Sequence, residues 1–154
     1  MKELTLVYLV RVDTVCLAMK KRGFGEGYYN GYGGKVEACE SIVDAAVREV
    51  REESLCVLSS KDLTQVADLT FYFSDNTHHV TVYCAENWSG EPQETEEMKP
   101  DWFPFSEIPY ESMWADDAYW LPRVLRGERL VGEVWFAEDQ NTITDMRWQS
   151  VVQF

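Results

Sequence analysis

Basic residues are scarce in this chain. Fourteen lysines and arginines stand against 27 aspartates and glutamates, a formal charge of −13 over 154 residues. That deficit argues against long nucleic acid as a partner, because neutralising a phosphate backbone requires a basic surface. A small polyanion remains compatible, provided that a bound cation inverts the local field. For most of the acidic residues solubility is a sufficient reason. Cysteine is thin as well: Cys16, Cys39, Cys56 and Cys84 are scattered without a CxxC pair, and no histidine stands at metal-ligand spacing from them. The pattern argues against a zinc site and for free, mostly buried thiols in a reducing compartment. No run approaches the ~20 apolar residues of a membrane span. The N-terminus, Met1-Lys2-Glu3-Leu4-Thr5, is too short and too polar before its first strand to be expected to act as a signal peptide. The expected compartment is the cytoplasm, and no membrane partner is expected. Repeats and linkers are absent, so one domain over residues 1–154 is expected.

What is present is apolar and aromatic. Hydrophobic residues make up 45% and aromatics 14%, enough for a folded core. Leu4 to Val12 and Val15 to Met19 read as strands joined at Asp13-Thr14. A glycine-rich stretch from Gly23 to Gly34, interleaved with Phe24, Tyr28, Tyr29 and Tyr32, has neither P-loop nor Rossmann spacing and is expected to be a structured loop. Ser41 opens the clearest helix. Ser41 and Asp44 have capping-box spacing, Val43, Ala46, Val47 and Val50 form an apolar stripe, and the helix should end near Ser54. Further strands are expected around Val66 to Phe73, His79 to Cys84 and Trp102 to Phe103. Gly90 to Pro100 reads as a surface loop. A second helix is predicted over Asp117 to Leu125, then an antiparallel pair over Leu130 to Phe136 and Thr142 to Val152. Strands before, between and after two helices predict an α/β sandwich with a mixed sheet.

Glu49, Glu52 and Glu53 lie at i, i+3 and i+4 on the first helix, so their carboxylates share a face, with a repulsion of ~0.2–0.5 kcal/mol per pair. By the 100° rule Arg48 and Arg51 project elsewhere and leave that repulsion unrelieved. Either the face is a solvated acidic surface or it holds a hard divalent cation, which prefers carboxylate oxygens.

The wider spacing is Gly34, five residues, Glu40, seven residues, then Arg48-Glu49-Val50-Arg51-Glu52-Glu53. It resembles the signature of the Nudix hydrolases, G-x5-E-x7-R-E-U-x-E-E-x-G-U with U aliphatic. Every charged position is in register. The end departs: Leu55-Cys56 stands where the signature has Gly and an aliphatic residue, which implies an altered helix cap or a one-residue deletion. The resemblance implies a Nudix α/β/α sandwich and hydrolysis of nucleoside diphosphates linked to another group, with Mg²⁺ (or Mn²⁺ as a substitute). It implies Gly33, Glu49, Glu52, Glu53 and Glu97 as the metal set, with Glu53, Glu52 and Glu97 as the catalytic carboxylates. Glu40 would pair with Arg48 and, with Gly34, hold the loop against the helix.

Other segments are similar to a branch of that family, the animal enzymes acting on oxidised purine nucleoside triphosphates. They are Met19-Lys20-Lys21-Arg22-Gly23-Phe24-Gly25, Asn30 to Val36, Glu97-Met98-Lys99-Pro100 with Trp102-Phe103, and Met113 to Trp120. That likeness implies that Asn30, Asp116 and Asp117 hydrogen-bond the purine. Phe24, Phe71, Trp114 and Phe136 would wall the pocket, and Thr5 and Lys20 would line its entrance. The small-molecule substrate would be a purine (deoxy)nucleoside triphosphate of the 8-oxo-dGTP type, hydrolysed to monophosphate and pyrophosphate by a monomer that cleanses the nucleotide pool. Adjacent aspartates suit this task, since of two close carboxylates one can be protonated and donate while the other accepts. Taken alone, Asp116-Asp117 could equally be a helix N-cap, Trp120 either core or pocket wall, and Glu97 a solvated loop residue. His78 and His79 replace a Met-Asp pair at the pocket rim, with His79 expected at the surface. Alternative readings are a Nudix hydrolase of another nucleotide (a dinucleoside polyphosphate, ADP-ribose or an unmodified dNTP) and a non-catalytic nucleotide-binding module. The retention of all four box glutamates speaks against the latter.

Overall fold

Alternation along the first strand sets the architecture. The computed structural model describes all 154 residues, and its strand β1 (Lys2–Val10) sends Leu4, Leu6, Tyr8 and Val10 to one face and Val7 and Leu9 to the other. The same division continues in β2 (Thr14–Lys20), with Val15 and Leu17 on the first face and Cys16 and Ala18 on the second. Two apolar cores therefore form on opposite sides of one sheet. Helix α1 (Ile42–Ser54) closes one with Ala46 and Val50; helix α2 (Asp117–Leu125) closes the other with Trp120, Leu121 and Val124. This is the expected α/β/α sandwich.

The remaining strands are β3 (Tyr29–Asn30), β4 (Tyr32–Lys35), β5 (Leu63–Tyr72), β6 (Thr77–Ala85), β7 (Met98–Pro104), β8 (Arg129–Phe136) and β9 (Ile143–Val151). The sheet runs β3-β2-β1-β6-β5-β8-β9, with β1–β6 and β5–β8 parallel, so it is mixed as expected. Strand β1 pairs with β2 through Leu9 and Val10, and with β4 through Leu4 to Val7. The glycine-rich stretch, expected as a loop, thus yields two short strands at Tyr29–Asn30 and Tyr32–Lys35.

Gly90 to Pro100 is more than a surface loop. Strand β7 begins inside it at Met98 and pairs with the whole of β2. Pro100 is tolerated because β7 pairs with β2 alone and sits at an edge. The preceding residues serve the end of α1: the Gln93 amide donates to the Ser54 carbonyl and Thr95 Oγ1 donates to that of Glu53, both at 3.0 Å. Two otherwise unpaired helix-end carbonyls are satisfied in this way.

At its start α1 is capped by Ser41 Oγ, which accepts from the Asp44 amide at 3.1 Å. At its end Leu55 adopts the left-handed conformation, φ +66°, and its amide donates to Arg51. The departure from the signature is therefore an altered cap and not a deletion.

Candidate active site

Helix α1 presents its glutamates to the glycines of β4. Glu53 is buried, and its Oε1 accepts from the Gly33 amide at 2.9 Å. Burial pushes the Glu53 carboxyl up to about 7; the Gly33 hydrogen bond opposes this and the neighbouring Glu49 charge adds to it. Glu49 is raised as well, first by burial, and Arg48 works against the shift. Its carboxylate lies over Gly34, where an added Cβ would come within 2.5 Å of Oε1. A side chain at that position would displace the Glu49 carboxylate from where it rests.

Arg48 does not project away from the acidic face. Its guanidinium grips Glu40 in a two-pronged pair at 2.7 and 3.0 Å, donates to the Lys35 carbonyl at 3.1 Å, and reaches Glu49 at 2.9 Å and Glu52 at 3.3 Å. The 100° rule places Cα–Cβ vectors, but a long flexible arginine spans to i+1 and i+4 and satisfies its full fork. Part of the expected repulsion is thereby relieved internally. The Glu40–Arg48 pairing forms as the resemblance implied, and it holds the loop before α1 against the helix.

Glu97 lies in the approach to β7 and is held by Arg22 at 2.6 Å, with 39% of its side chain exposed. That pairing keeps its carboxyl below the usual range. No three His, Cys, Asp or Glu side chains close on a single point. The donor set nonetheless fits a hard divalent cation. Two carboxylates raised chiefly by burial, Glu53 with the Glu49 charge adding and Glu49 with Glu52 and Glu37 adding, face the β4 glycines, and an Mg²⁺ ion would favour their charged forms.

Adjoining Glu53 is a cavity of about 230 Å³ whose lining draws on both helices and most strands. All nine residues implied for the substrate meet there: Thr5, Lys20, Phe24, Asn30, Phe71, Trp114, Asp116, Asp117 and Phe136, together with Gly33 and Glu53. Phe24 is 61% exposed and stacks on Trp114 at 5.0 Å, with Tyr28 edge-on to the same indole at 5.1 Å. Phe24 thus lines the cavity while one side of it stays open to solvent. The opposite wall is Phe71, Phe73 and Phe136, with His78 edge-on to Phe73 at 4.9 Å.

The Asp116-Asp117 pair lines this cavity, and Asp116, although at the N-cap position of α2, makes no capping hydrogen bond. Its Oδ2 accepts from Trp120 Nε1 at 2.8 Å. Asp117 Oδ2 is buried without a partner. Burial pushes both carboxyls up, and the Asp116 charge raises Asp117 further. Trp120 is core and pocket at once, fully buried yet part of the lining. Thr5 does not line an entrance: it is 3% exposed and its Oγ1 has no partner. His79 faces outward between Glu3 and Asp68, each at 2.7 Å. Burial lowers His78, with Lys2 adding to the effect. Phe73, Tyr28 and Met98 also line the cavity. Phe73 and Tyr28 carry no motif, and Met98 sits in a segment marked only by its resemblance; their place in the lining depends on strands distant in the chain.

A signature loop, a glutamate-bearing helix and a cavity beside it define a class. The NUDIX domain profile matches residues 4–124, and the chain belongs to the Nudix hydrolase family. Among its relatives, the zebrafish (Danio rerio) oxidized purine nucleoside triphosphate hydrolase is 45% identical over 133 residues, 85% of this chain and 84% of that protein. The mouse (Mus musculus) protein of the same name is 41% identical over 152 residues, 97% of this chain and 96% of its own. The crystal structure of a MutT protein from Bacillus halodurans superposes with a TM-score of 0.81 at 24% identity, covering 96% and 97% of the two chains, and shares the fold. No helix is long and apolar enough to cross a membrane.

Proposed function

We propose that this protein is a Mg²⁺-dependent diphosphatase that converts oxidised purine (deoxy)nucleoside triphosphates to monophosphate and pyrophosphate. The observation that carries this reading is the buried Asp116-Asp117 pair, with an unpartnered Asp117 oxygen in an aromatic cavity that leads to Glu53. An unsatisfied buried polar group costs ~1–3 kcal/mol, and a base edge offering a donor or acceptor would repay it. The cavity is smaller than the ~300–1,000 Å³ of drug-sized sites, which suits a base whose sugar and phosphates extend outward toward the glutamates.

Within that frame Asp116 and Asp117 share protons, so that one carboxyl donates to the purine and the other accepts. Phe24 and Trp114 supply π-faces for stacking, worth ~1–3 kcal/mol per base. Phe71 and Phe136 form the far wall, and Lys20 faces the phosphates. Glu49, Glu52 and Glu53, with backbone at Gly33 and with Glu97 released from Arg22, would hold the ion. When bound, that ion neutralises phosphate oxygens and lowers the pKa of a water for attack at phosphorus. Glu52 or Glu97 would accept the proton of that water, a reading supported by their solvent exposure, 58% and 39% of the side chain.

The test is product analysis with 8-oxo-dGTP, 2-hydroxy-dATP, dGTP and ADP-ribose at fixed Mg²⁺. Oxidised purine triphosphates should give monophosphate and pyrophosphate most efficiently; preference for dGTP or ADP-ribose would overturn the assignment. Glu53→Gln should lower kcat by at least about a hundredfold and leave nucleotide binding by calorimetry nearly unchanged. A variant with undiminished turnover would remove Glu53 from the metal set.

A further inference from the structure

Behind the wall of the cavity lies a side chain with no motif to announce it. Tyr8 of β1 is fully buried, and its hydroxyl donates to Asn30 Oδ1 at 3.2 Å. The same Oδ1 accepts from the Gly31 amide at 2.9 Å. A backbone N–H can only donate, so the atom facing Gly31 is the amide oxygen and the orientation of the Asn30 side chain is determined. Two donors on Oδ1 leave the Nδ2 hydrogens available to the cavity that Asn30 lines.

The ring of Tyr8 is held as closely as its hydroxyl. An added Cβ at Gly31 would come within 3.1 Å of the tyrosine ring and 2.7 Å of the Val7 carbonyl, so glycine there makes room for the aromatic. The other edge meets Trp120, with centroids 6.0 Å apart and planes at 68°. Trp120 in turn donates to Asp116. One buried side chain thus touches the supports of both polar groups that flank the cavity, Asn30 on one side and Asp116 on the other. Burial and the adjacent aspartates hold the phenol well above its ordinary pKa, so it remains a donor at every working pH.

We infer that Tyr8 is a positioning residue for base discrimination: it fixes the Asn30 amide with Nδ2 toward the purine and braces Trp120 against Asp116. This rests on Asn30, Asp116 and Asp117 forming the base-reading end of the cavity. A hydroxyl in the second layer is effective here because Asn30 is half-buried on a two-residue strand, whose pairing to β2 spans only Ala18 and Met19. So short a ladder gives its side chain little support of its own.

The test is a double-mutant cycle of Tyr8→Phe and Asn30→Ala, read as the ratio of kcat/KM for 8-oxo-dGTP over dGTP. Tyr8→Phe keeps the ring and removes only the donor. It should lower that ratio about three- to tenfold through KM, with kcat within about twofold of the parent. In the Asn30→Ala background the same change should have almost no further effect, since coupled residues are non-additive; a merely structural role would be additive. Tyr8→Leu, which also removes the edge contact to Trp120, should cost more discrimination than Tyr8→Phe. Folded Phe and Leu variants that both keep the parent ratio would overturn the inference, as would an equal loss with and without Asn30. If the parent prefers a different purine nucleotide, the proposed substrate fails and the cycle is read on that preferred pair. A parent with a flat profile across bases overturns both readings.

Discussion

Glu53 concentrates the tension between stability and chemistry in one side chain. Its carboxyl is raised from 4.5 to about 7, chiefly by burial. The native state therefore binds a proton more tightly than the unfolded chain, and between about pH 4.5 and 7 stability should rise as the pH falls. Above pH 7 the metal-free protein carries the full penalty, about 3 kcal/mol at most. Glu53→Gln keeps an acceptor for the Gly33 amide and has no charge to bury. In thermal melts at pH 8 with chelator it should unfold at a higher temperature than the parent, with the gap closing toward pH 5. Equal melting at both values would mean that the carboxylate is better solvated than its surroundings suggest.

Element by element, the two helices behave differently from the sheet. Leu55 holds a left-handed conformation, φ +66°, that costs an L-residue with a side chain roughly 1–2 kcal/mol. It is also 53% exposed, so little packing is lost with it. Leu55→Gly should raise the free energy of unfolding by about 1 kcal/mol in denaturant titration; a loss would show that the leucine makes a contact worth more than the strain. Helix α1 was legible from its sequence because periodicity, the Ser41 cap and the glutamate spacing are all local. Strands β3 and β4 were not. Gly31, Gly33 and Gly34 lack the side chains by which strands are recognised, and their pairing depends on β1 and β2. Pro100 likewise concealed the start of β7, although at an edge it costs no ladder bond. Among site residues, those within a motif could be named, but the depth of Thr5, the reach of Arg48 and the role of Tyr8 depend on partners far along the chain.

At the scale of the whole molecule, a formal charge of −13 opposes the arrival of a triphosphate. Lys21 and Arg22 are engaged with Glu94 and Glu97, which leaves Lys20 to face the cavity. Long-range repulsion is screened within a Debye length of about 8 Å at physiological ionic strength. At fixed free Mg²⁺, kcat/KM should therefore rise about twofold as added monovalent salt increases from low to physiological ionic strength. A fall would indicate that local attraction at Lys20 outweighs the global field. The sheet organises the rest. Strand β1 turns Val7 and Leu9 toward the helix that carries the glutamates and Leu6 and Tyr8 toward the helix that carries the aspartates. Thr5 alone of the odd positions of β1 also lines the cavity. Because alternate residues of one strand serve opposite faces, substitutions at the even positions would on the proposed reading alter the base-reading side while Val7 and Leu9 keep their packing against α1. A new specificity could thus arise by single changes on a scaffold whose chemistry is inherited intact.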